Sequence, residues 1–164
     1  ETTLFDLEKQ DPQQYVTKLR FQIMEVKDNV AKTILQGHEY SREYLRSLVR
    51  RGSSMVSHIE DFVTKDGAKV RAYTIAFAQS RLNTSRMHGI RIAARDVLVE
   101  KASSLTYDQF TQEAVHGKIA SDIYNSAKKV SNLRHVGIRK TKLVMKPSID
   151  MPTESAPEAV EAIS

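Results

Sequence analysis

Apolar and polar residues alternate along several stretches of the chain, and this two-residue period is typical of half-buried β-strands. The clearest alternation runs through residues 15–24, where Leu19 and Phe21 share one side of the strand. Lys27-Asp28-Asn29 then predicts a turn, and Val30–Leu35 is interpreted as the hairpin partner. The N-terminal third of the chain therefore begins with paired strands.

A second hairpin is predicted from two β runs, Met55–Thr64 and Ala68–Ala78, which flank Lys65-Asp66-Gly67. An Asp-Gly pair between two such runs is a strong hairpin signal, because both residues tolerate a positive φ. A last β run covers His135–Met145, and Leu4–Leu7 is interpreted as a short first strand.

Four stretches between these strands repeat their apolar residues at helical spacing instead. Ser41 is a suitable N-cap for the first helix, and Thr106 with Gln109 forms the capping-box pattern of the third. The predicted helices cover residues 41–49, about 85–103 and 106–116, with a fourth that carries Ile119, Ile123, Ala127 and Val130.

Strands that arrive as hairpins, and do not alternate with helices, predict an α+β fold. We expect a curved antiparallel sheet, built from hairpins and partly closed into a barrel, packed with about four helices. The boundary of this single α+β domain is predicted from charge. The chain has 164 residues and a net charge of +5, but residues 147–164 contain no Lys or Arg and carry −4. Residues 1–146 are therefore predicted as the folded domain, and 147–164 as a disordered acidic tail.

Several kinds of chemistry are not supported by the sequence. It has no cysteine, so a disulfide scaffold, a thiol nucleophile and Cys-ligated metals are excluded. The five histidines show no metal-binding spacing, and no glycine-rich phosphate loop is present. We therefore expect neither an enzyme nor a cofactor, a metal or a small-molecule substrate. No apolar stretch has the length of a membrane span, so no membrane partner is expected.

The excess of basic residues lies in three clusters, which indicates an anionic partner. In the first, Arg42, Arg46 and Arg50 repeat every four residues and line one stripe of the predicted helix, and Arg51 follows. A solvated helix face would be the simpler interpretation, but such faces mix Lys with Glu. The planar guanidinium group of arginine suits phosphate better than solubility alone requires.

The second cluster contains Arg81, Arg86, Arg91 and Arg95, with no acidic residue before Asp96. Because Arg81 and Arg86 lie at the predicted start of a helix, where backbone N–H groups are free, a phosphate group can dock there. The third cluster includes Arg139, Lys140 and Lys142 in the last strand. A basic edge strand can also simply prevent aggregation between sheets, and that alternative stays open.

Four segments together resemble the small-subunit ribosomal protein family of archaea and eukaryotes called "S-three-A-e", or "S-one-e" in newer naming. The archaeal type is the more similar, and the likeness covers nearly all of residues 1–146. The segments are Gly37-His-Glu-Tyr-Ser-Arg-Glu-Tyr-Leu-Arg-Ser-Leu-Val-Arg-Arg-Gly-Ser-Ser54, Thr64-Lys-Asp-Gly-Ala-Lys-Val-Arg71, Gly117-Lys-Ile-Ala-Ser-Asp-Ile-Tyr124 and Val136-Gly-Ile-Arg-Lys-Thr-Lys142.

The resemblance implies a structural protein on the platform of the small ribosomal subunit, without catalytic activity and located in the cytoplasm. Its implied partners are small-subunit rRNA and neighbouring small-subunit ribosomal proteins. Members of the family begin with a lysine-rich segment before the position of Glu1, so we expect an N-terminally truncated member. This chain also departs from the family at Ser131-Asn132, His135 and Gly137. The local turn and one RNA contact that the resemblance implies are therefore not carried over to these positions.

We therefore predict a structural constituent of the ribosome that supports translation and binds rRNA through contacts to phosphate, as basic surfaces do. The alternative is a basic protein-interaction module that does not bind RNA directly. The residues expected to carry RNA binding are Arg42, Arg46, Arg50, Arg51, Arg81, Arg86, Arg91, Arg95, Arg139, Lys140 and Lys142.

Overall fold

A computed structural model describes residues 1–9, 12–27 and 30–146. Its strands are β1 (Thr2–Thr3), β2 (Thr17–Lys27), β3 (Val30–Tyr40), β4 (Met55–Val63), β5 (Lys69–Ala78) and β6 (Leu133–Met145). Its helices are α1 (Leu4–Glu8), α2 (Arg42–Leu48), α3 (Thr84–Ser104), α4 (Tyr107–Val115) and α5 (Lys118–Lys128), with a short 3₁₀ helix at Pro12–Val16. The predicted tail, 147–164, lies outside the described residues, as do Asp28 and Asn29 of the first predicted turn.

All six strands form one antiparallel sheet in the order β1-β2-β3-β6-β5-β4. The α+β class is confirmed, but the expected partial closure into a barrel is wrong. In the described residues β1 and β4 are the two edges, and four strands lie between them. The sheet is therefore open.

One face of the sheet carries the main core. Alternate residues of β5, from Val70 to Ala78, lie on this face, and α3, α4 and α5 cover it with Ile90, Leu98 and other apolar side chains. Gly89 of α3 allows close packing here, because an added Cβ would lie 3.2 Å from Val130. None of the described helices is long and apolar enough to cross a membrane.

The opposite face of the sheet, which we call the outer face, carries the other residues of β5. Arg71, Tyr73, Ile75 and Phe77 lie on it, because successive strand residues point to opposite faces. Phe77 and Ile75 are nevertheless buried. Their burial shows that the outer face is partly covered at the end where β5 finishes.

The last strand, β6, joins the β2–β3 hairpin to the β4–β5 hairpin, since it lies between β3 and β5 in the sheet. A single register pair, Glu39 with Lys140, joins β3 to β6 in the described residues. The His38 side chain is buried beside it and completes the junction. Its Nε2–H donates to the Ile138 carbonyl (3.0 Å), and its Nδ1 accepts from the Thr141 hydroxyl (2.8 Å).

The structure corrects the prediction at the N-terminus. Leu4–Leu7 is not a strand, since residues Leu4–Glu8 form α1 and raise the helix count from about four to five. The reason is a capping box. The Thr3 hydroxyl accepts from the Asp6 N–H (3.4 Å), and the Asp6 carboxylate accepts from the Thr3 N–H (3.0 Å).

Two other elements differ in length from the prediction. β3 continues five residues past Leu35 to Tyr40, because residues 37–40 pair with the start of β2. Gly37 and the polar residues that follow it hide this strand from a hydrophobicity pattern. α2 stops at Leu48, and Val49 already has an extended backbone. Arg50 therefore lies beyond the helix. The prediction that it continues the stripe of Arg42 and Arg46 is wrong.

Candidate nucleic-acid interface

Two loops that carry predicted arginines are hydrogen-bonded to each other through Ser54. The Ser54 N–H donates to the Ser80 carbonyl (3.3 Å), and the Ser54 carbonyl accepts from the Ala78 N–H (2.9 Å). The Ser54 hydroxyl also accepts from the Leu82 N–H (2.9 Å). These bonds join loop 49–54, which follows α2, to loop 79–83, which precedes α3. We call this region, where β4 begins and β5 ends, the loop end of the sheet.

The loop end brings together residues of the first and second predicted clusters, which are separate in sequence. Every guanidinium group of this set is exposed, and none forms a hydrogen bond or ion pair with another described residue. Their charges are consequently available to an external anion. The members are Arg42, Arg46, Arg50, Arg51, Arg81 and Arg86.

α2 is held on the outer face by a row of rings. The Tyr44 ring lies edge-on to Tyr40, with centroids 5.6 Å apart, and edge-on to His135 at 6.1 Å. His135 in turn contacts the buried Phe77 at 6.4 Å. Burial raises the pKa of Tyr40 to about 12, so its hydroxyl stays neutral. This packing fixes the helix that presents Arg42 and Arg46.

The start of α3 lies beside the same loops. Its N-cap, Asn83, makes no side-chain capping bond, and the first turn contains no acidic residue. Arg86 lies in that first turn. Free backbone N–H groups and the positive end of the helix dipole add to the charge of Arg86, so this terminus suits an anion.

Arg91 and Arg95 differ from the arginines of the loop end because both have internal partners. Arg91 Nε donates to the Ser57 carbonyl (3.2 Å), which ties α3 to β4. Arg95 Nε lies 3.3 Å from Glu60 Oε1, so its charge is partly neutralised. The geometry therefore gives these two residues a packing role that the sequence did not indicate.

The residues of the third cluster lie close together in β6 but differ in what they contact. Arg139 is an extra residue in β6, at a bulge opposite Tyr73 and Thr74. Lys140 Nζ lies 2.7 Å from Glu39 Oε2, and this bond holds the pKa of the Glu39 carboxyl below its usual value. Lys142 is exposed. The cluster thus provides one cation that is paired at the strand junction, and two, the half-buried Arg139 and the exposed Lys142, that form no ion pair in the described residues.

Comparison with known proteins identifies the family. Residues 1–147 match the model of the Ribosomal S3Ae family. A small ribosomal subunit protein eS1 from Desulfurococcus amylolyticus is 43% identical over 93% of this chain and 71% of its own length. Proteins of the same name from Archaeoglobus fulgidus and Staphylothermus marinus are 40% and 39% identical over all of this chain, and over 77% and 74% of their own lengths.

The chain belongs to the Ribosomal S3Ae family. Membership confirms the predicted ribosomal protein class with its role in translation, and the expected ribosomal, cytoplasmic location. It also confirms the prediction that this is a structural protein and not an enzyme, since the family and its named relatives are ribosomal proteins. The assignment of individual RNA-binding residues is tested by none of these similarities and stays a prediction.

Some basic residues of this S3Ae chain were not among the predicted RNA-binding residues. Arg134 lies at the loop end, where it donates to the Leu48 carbonyl at the end of α2 and covers the Phe77 ring at 5.9 Å. Arg71 and Lys69 lie beside Lys142 on the outer face, but both pair with Asp61 (2.6 and 3.4 Å). The bond to Arg71 lowers the pKa of Asp61 to about 2. No local sequence signal distinguishes paired cations from free ones.

Glu60 and Asp61 are adjacent acidic residues of β4. Glu60 and Asp61 point to opposite faces, since Glu60 reaches α3 and Asp61 reaches Arg71 across the strand. They cannot act as a paired acid and base. In the described part of the chain, no three His, Asp or Glu side chains lie close enough to hold a metal ion.

Proposed function

We propose that the loop end binds the phosphate backbone of small-subunit rRNA, and that this contact helps to fix the protein in the small ribosomal subunit. The relatives named above are small ribosomal subunit proteins, which supports the class of partner. One observation carries the assignment to this surface. The Ser54 hydrogen bonds hold the loop of Arg50 and Arg51 against the loop of Arg81. The helices α2 and α3, which carry Arg42, Arg46 and Arg86, adjoin these loops in the chain, and all six guanidinium groups are exposed and have no internal partner among the described residues.

The mechanism is electrostatic and geometric. Each arginine that reaches a phosphate displaces condensed counterions. For each such contact on a duplex, the binding constant falls by about 0.9 log units for every tenfold rise in salt concentration. The packed rings beneath α2 and the Ser54 bonds limit the movement of the guanidinium groups. Such backbone contacts set position and orientation without reading base sequence.

Arg139 and Lys142 form a second, smaller part of the proposed interface. Both are cations without an ion pair in the described residues, and both are separated from the loop end along β6. Arg91, Arg95 and Lys140 are the weakest candidates, because their internal partners already occupy them. We therefore expect RNA affinity to depend chiefly on the loop end.

The test is filter binding of a small-subunit rRNA fragment at salt from about 50 to 200 mM. Arg50→Ala/Arg51→Ala should weaken binding and reduce the salt slope by roughly one unit per lost contact. The control Lys65→Ala/Lys118→Ala also removes two exposed cations, but away from the loop end, and should leave the slope unchanged. An equal loss in both pairs would show that only net charge matters. Salt-insensitive or absent binding by the unmodified chain would favour the protein-interaction alternative.

A further inference from the structure

A large groove separates the β2–β3 ribbon from α4, on a different part of the molecule from the loop end. Its cavity volume is about 1110 Å³, above the range of about 300–1,000 Å³ typical of small-ligand pockets. Buried Leu4, Leu19 and Tyr107 form part of its lining. The Tyr107 hydroxyl donates to the Leu35 carbonyl, which fixes α4 to the ribbon at one end of the groove.

The rim of the groove exposes large apolar side chains. Leu7 is 57% exposed, and Phe21 and Met24 of β2 are also exposed. Exposed apolar groups collected around a concavity indicate an interaction site, whereas single ones are ordinary on a protein surface. The groove is thus shaped for a partner that brings apolar side chains of its own.

The charge of the groove is opposite to that of the rest of the folded region. Its lining contains four carboxylates, from Glu8, Glu25, Asp66 and Asp108, against one lysine, Lys32, and the ring of His116. Residues 1–147 as a whole carry +9. An acidic groove in a basic protein favours a cationic occupant and disfavours RNA.

Internal partners offset only part of this acidity. Glu25 pairs with Lys27 (2.7 Å), and Glu8 lies 3.5 Å from the His116 ring. Asp66 accepts from the Tyr107 N–H (2.9 Å), a bond that leaves its charge in place. Asp108 is exposed and forms no ion pair in the part of the chain that the structure describes.

An unpaired strand edge borders the same groove. β1 pairs with β2 only at Lys18 and Leu19, and in the described residues no strand covers the outer edge of β2 from Arg20 to Lys27. Backbone N–H and C=O groups along such an edge can accept a further strand. An extended peptide could satisfy them and place alternate side chains toward the groove.

We propose that this groove binds an extended protein segment, supplied by a neighbouring protein, that turns both apolar residues and Lys or Arg toward the groove. Apolar side chains of the segment fill the space between β2 and α4, and its cations face the carboxylates. The acidic residues 148–164 of this chain do not suit the groove, because both carry negative charge. The proposal does not depend on rRNA binding, since it uses no residue of the loop end.

The test uses the full chain and a fluorescent peptide of about ten residues with the repeat Val-Val-Lys-Lys, so that each side of the extended peptide carries both residue types. Binding is measured by polarisation, and a matched peptide with Glu in place of Lys should bind at least about tenfold more weakly. Glu25→Lys/Asp108→Lys should reduce affinity for the Lys peptide about tenfold. Glu100→Lys, a charge reversal on an exposed residue of α3 outside the groove, should leave it unchanged.

A second variant tests the apolar half of the site. Leu7→Ser should weaken binding with little effect on folding, because Leu7 is already exposed, whereas Val99→Ser at an exposed position of α3 should not. Equal affinity for both peptides, or no effect of either groove variant, would overturn the proposal. Self-association in sedimentation that Leu7→Ser abolishes would instead assign the groove to a second copy of this chain. rRNA binding measured on the same variants should stay intact, which separates this site from the loop end.

Discussion

Lys140 Nζ donates to Glu39 Oε2 at 2.7 Å, across the one register pair that joins β3 to β6 in the described residues. The Lys140 side chain is only 17% exposed, and Arg20 lies 3.6 Å from the same carboxylate. A lysine that sequence analysis assigned to RNA thus connects the two halves of the sheet. The partner of a cation, as well as its presence, decides what the cation can do.

Lys140→Ala should lower the free energy of unfolding by about 1–2 kcal/mol, because it removes a partly buried ion pair and leaves Glu39 without its closest cation. It should change rRNA affinity less than twofold. Urea unfolding and filter binding on the same preparation measure both effects. Lys142→Ala is the matched control, with an exposed cation two residues away and little expected effect on stability. The reverse pattern would return Lys140 to the RNA interface.

Gly37→Ala should disrupt the same junction by steric overlap. A Cβ at Gly37 would lie 2.1 Å from the Thr141 carbonyl oxygen, and this backbone atom cannot move independently of β6. We expect a loss of about 1–3 kcal/mol in the free energy of unfolding, as for overpacked sites. Gly52→Ala is the control, because a Cβ there meets nothing within 4 Å and costs only the strain of its positive φ of 77°. A smaller loss at Gly37 than at Gly52 would contradict the steric argument.

The stability of the fold should fall as the pH drops below about 6.5. Burial lowers the pKa of His38 in the folded state, while the ring keeps its ordinary pKa when the chain unfolds. The unfolded chain therefore binds more protons in the window between the two values, and acid favours unfolding. Burial, and secondarily Arg134, also lower the pKa of His135, so both rings act in the same direction.

The measurement is urea unfolding at about pH 7.5 and about pH 5.5, where each such ring contributes at most about 1.4 kcal/mol per pH unit. His38→Asn and His135→Asn should each reduce the difference between the two pH values, and the double variant should reduce it most. If the double variant keeps the full pH dependence of stability, groups other than His38 and His135 cause it.

Arg86→Ala should weaken rRNA binding more than Arg95→Ala does. Arg86 is exposed and has no ion pair among the described residues, whereas Arg95 is already paired with Glu60. We expect the salt slope to fall by about one unit for Arg86→Ala and to change little for Arg95→Ala. Glu60→Gln should release Arg95 and make its replacement more costly for RNA binding. Equal salt slopes for Arg86→Ala and Arg95→Ala would mean that Arg95 leaves Glu60 and contacts phosphate when RNA binds.

Local signals in the sequence predicted most of the secondary structure. The Asp-Gly turn and alternating residues predicted β4 and β5, and the Thr106 capping box predicted the start of α4. Sequence analysis failed at Leu4–Leu7, where a capping box fixes a helix against a strand-like composition. It also ended β3 too early. That strand continues through Gly37 and His38, and it is held there by hydrogen bonds between His38 and Thr141, which is distant in the sequence.

The sequence by itself determined the hairpins, the helices, the basic character of the chain and its family, because these depend on near neighbours and on motifs that survive in order. Only the tertiary structure decided which cations are free. The loops that carry Arg50 and Arg81 are joined through Ser54, whereas Lys140 pairs with Glu39, which lies 101 residues earlier in the chain. Charge depends on residue type, but its availability depends on distances that only the packed chain sets.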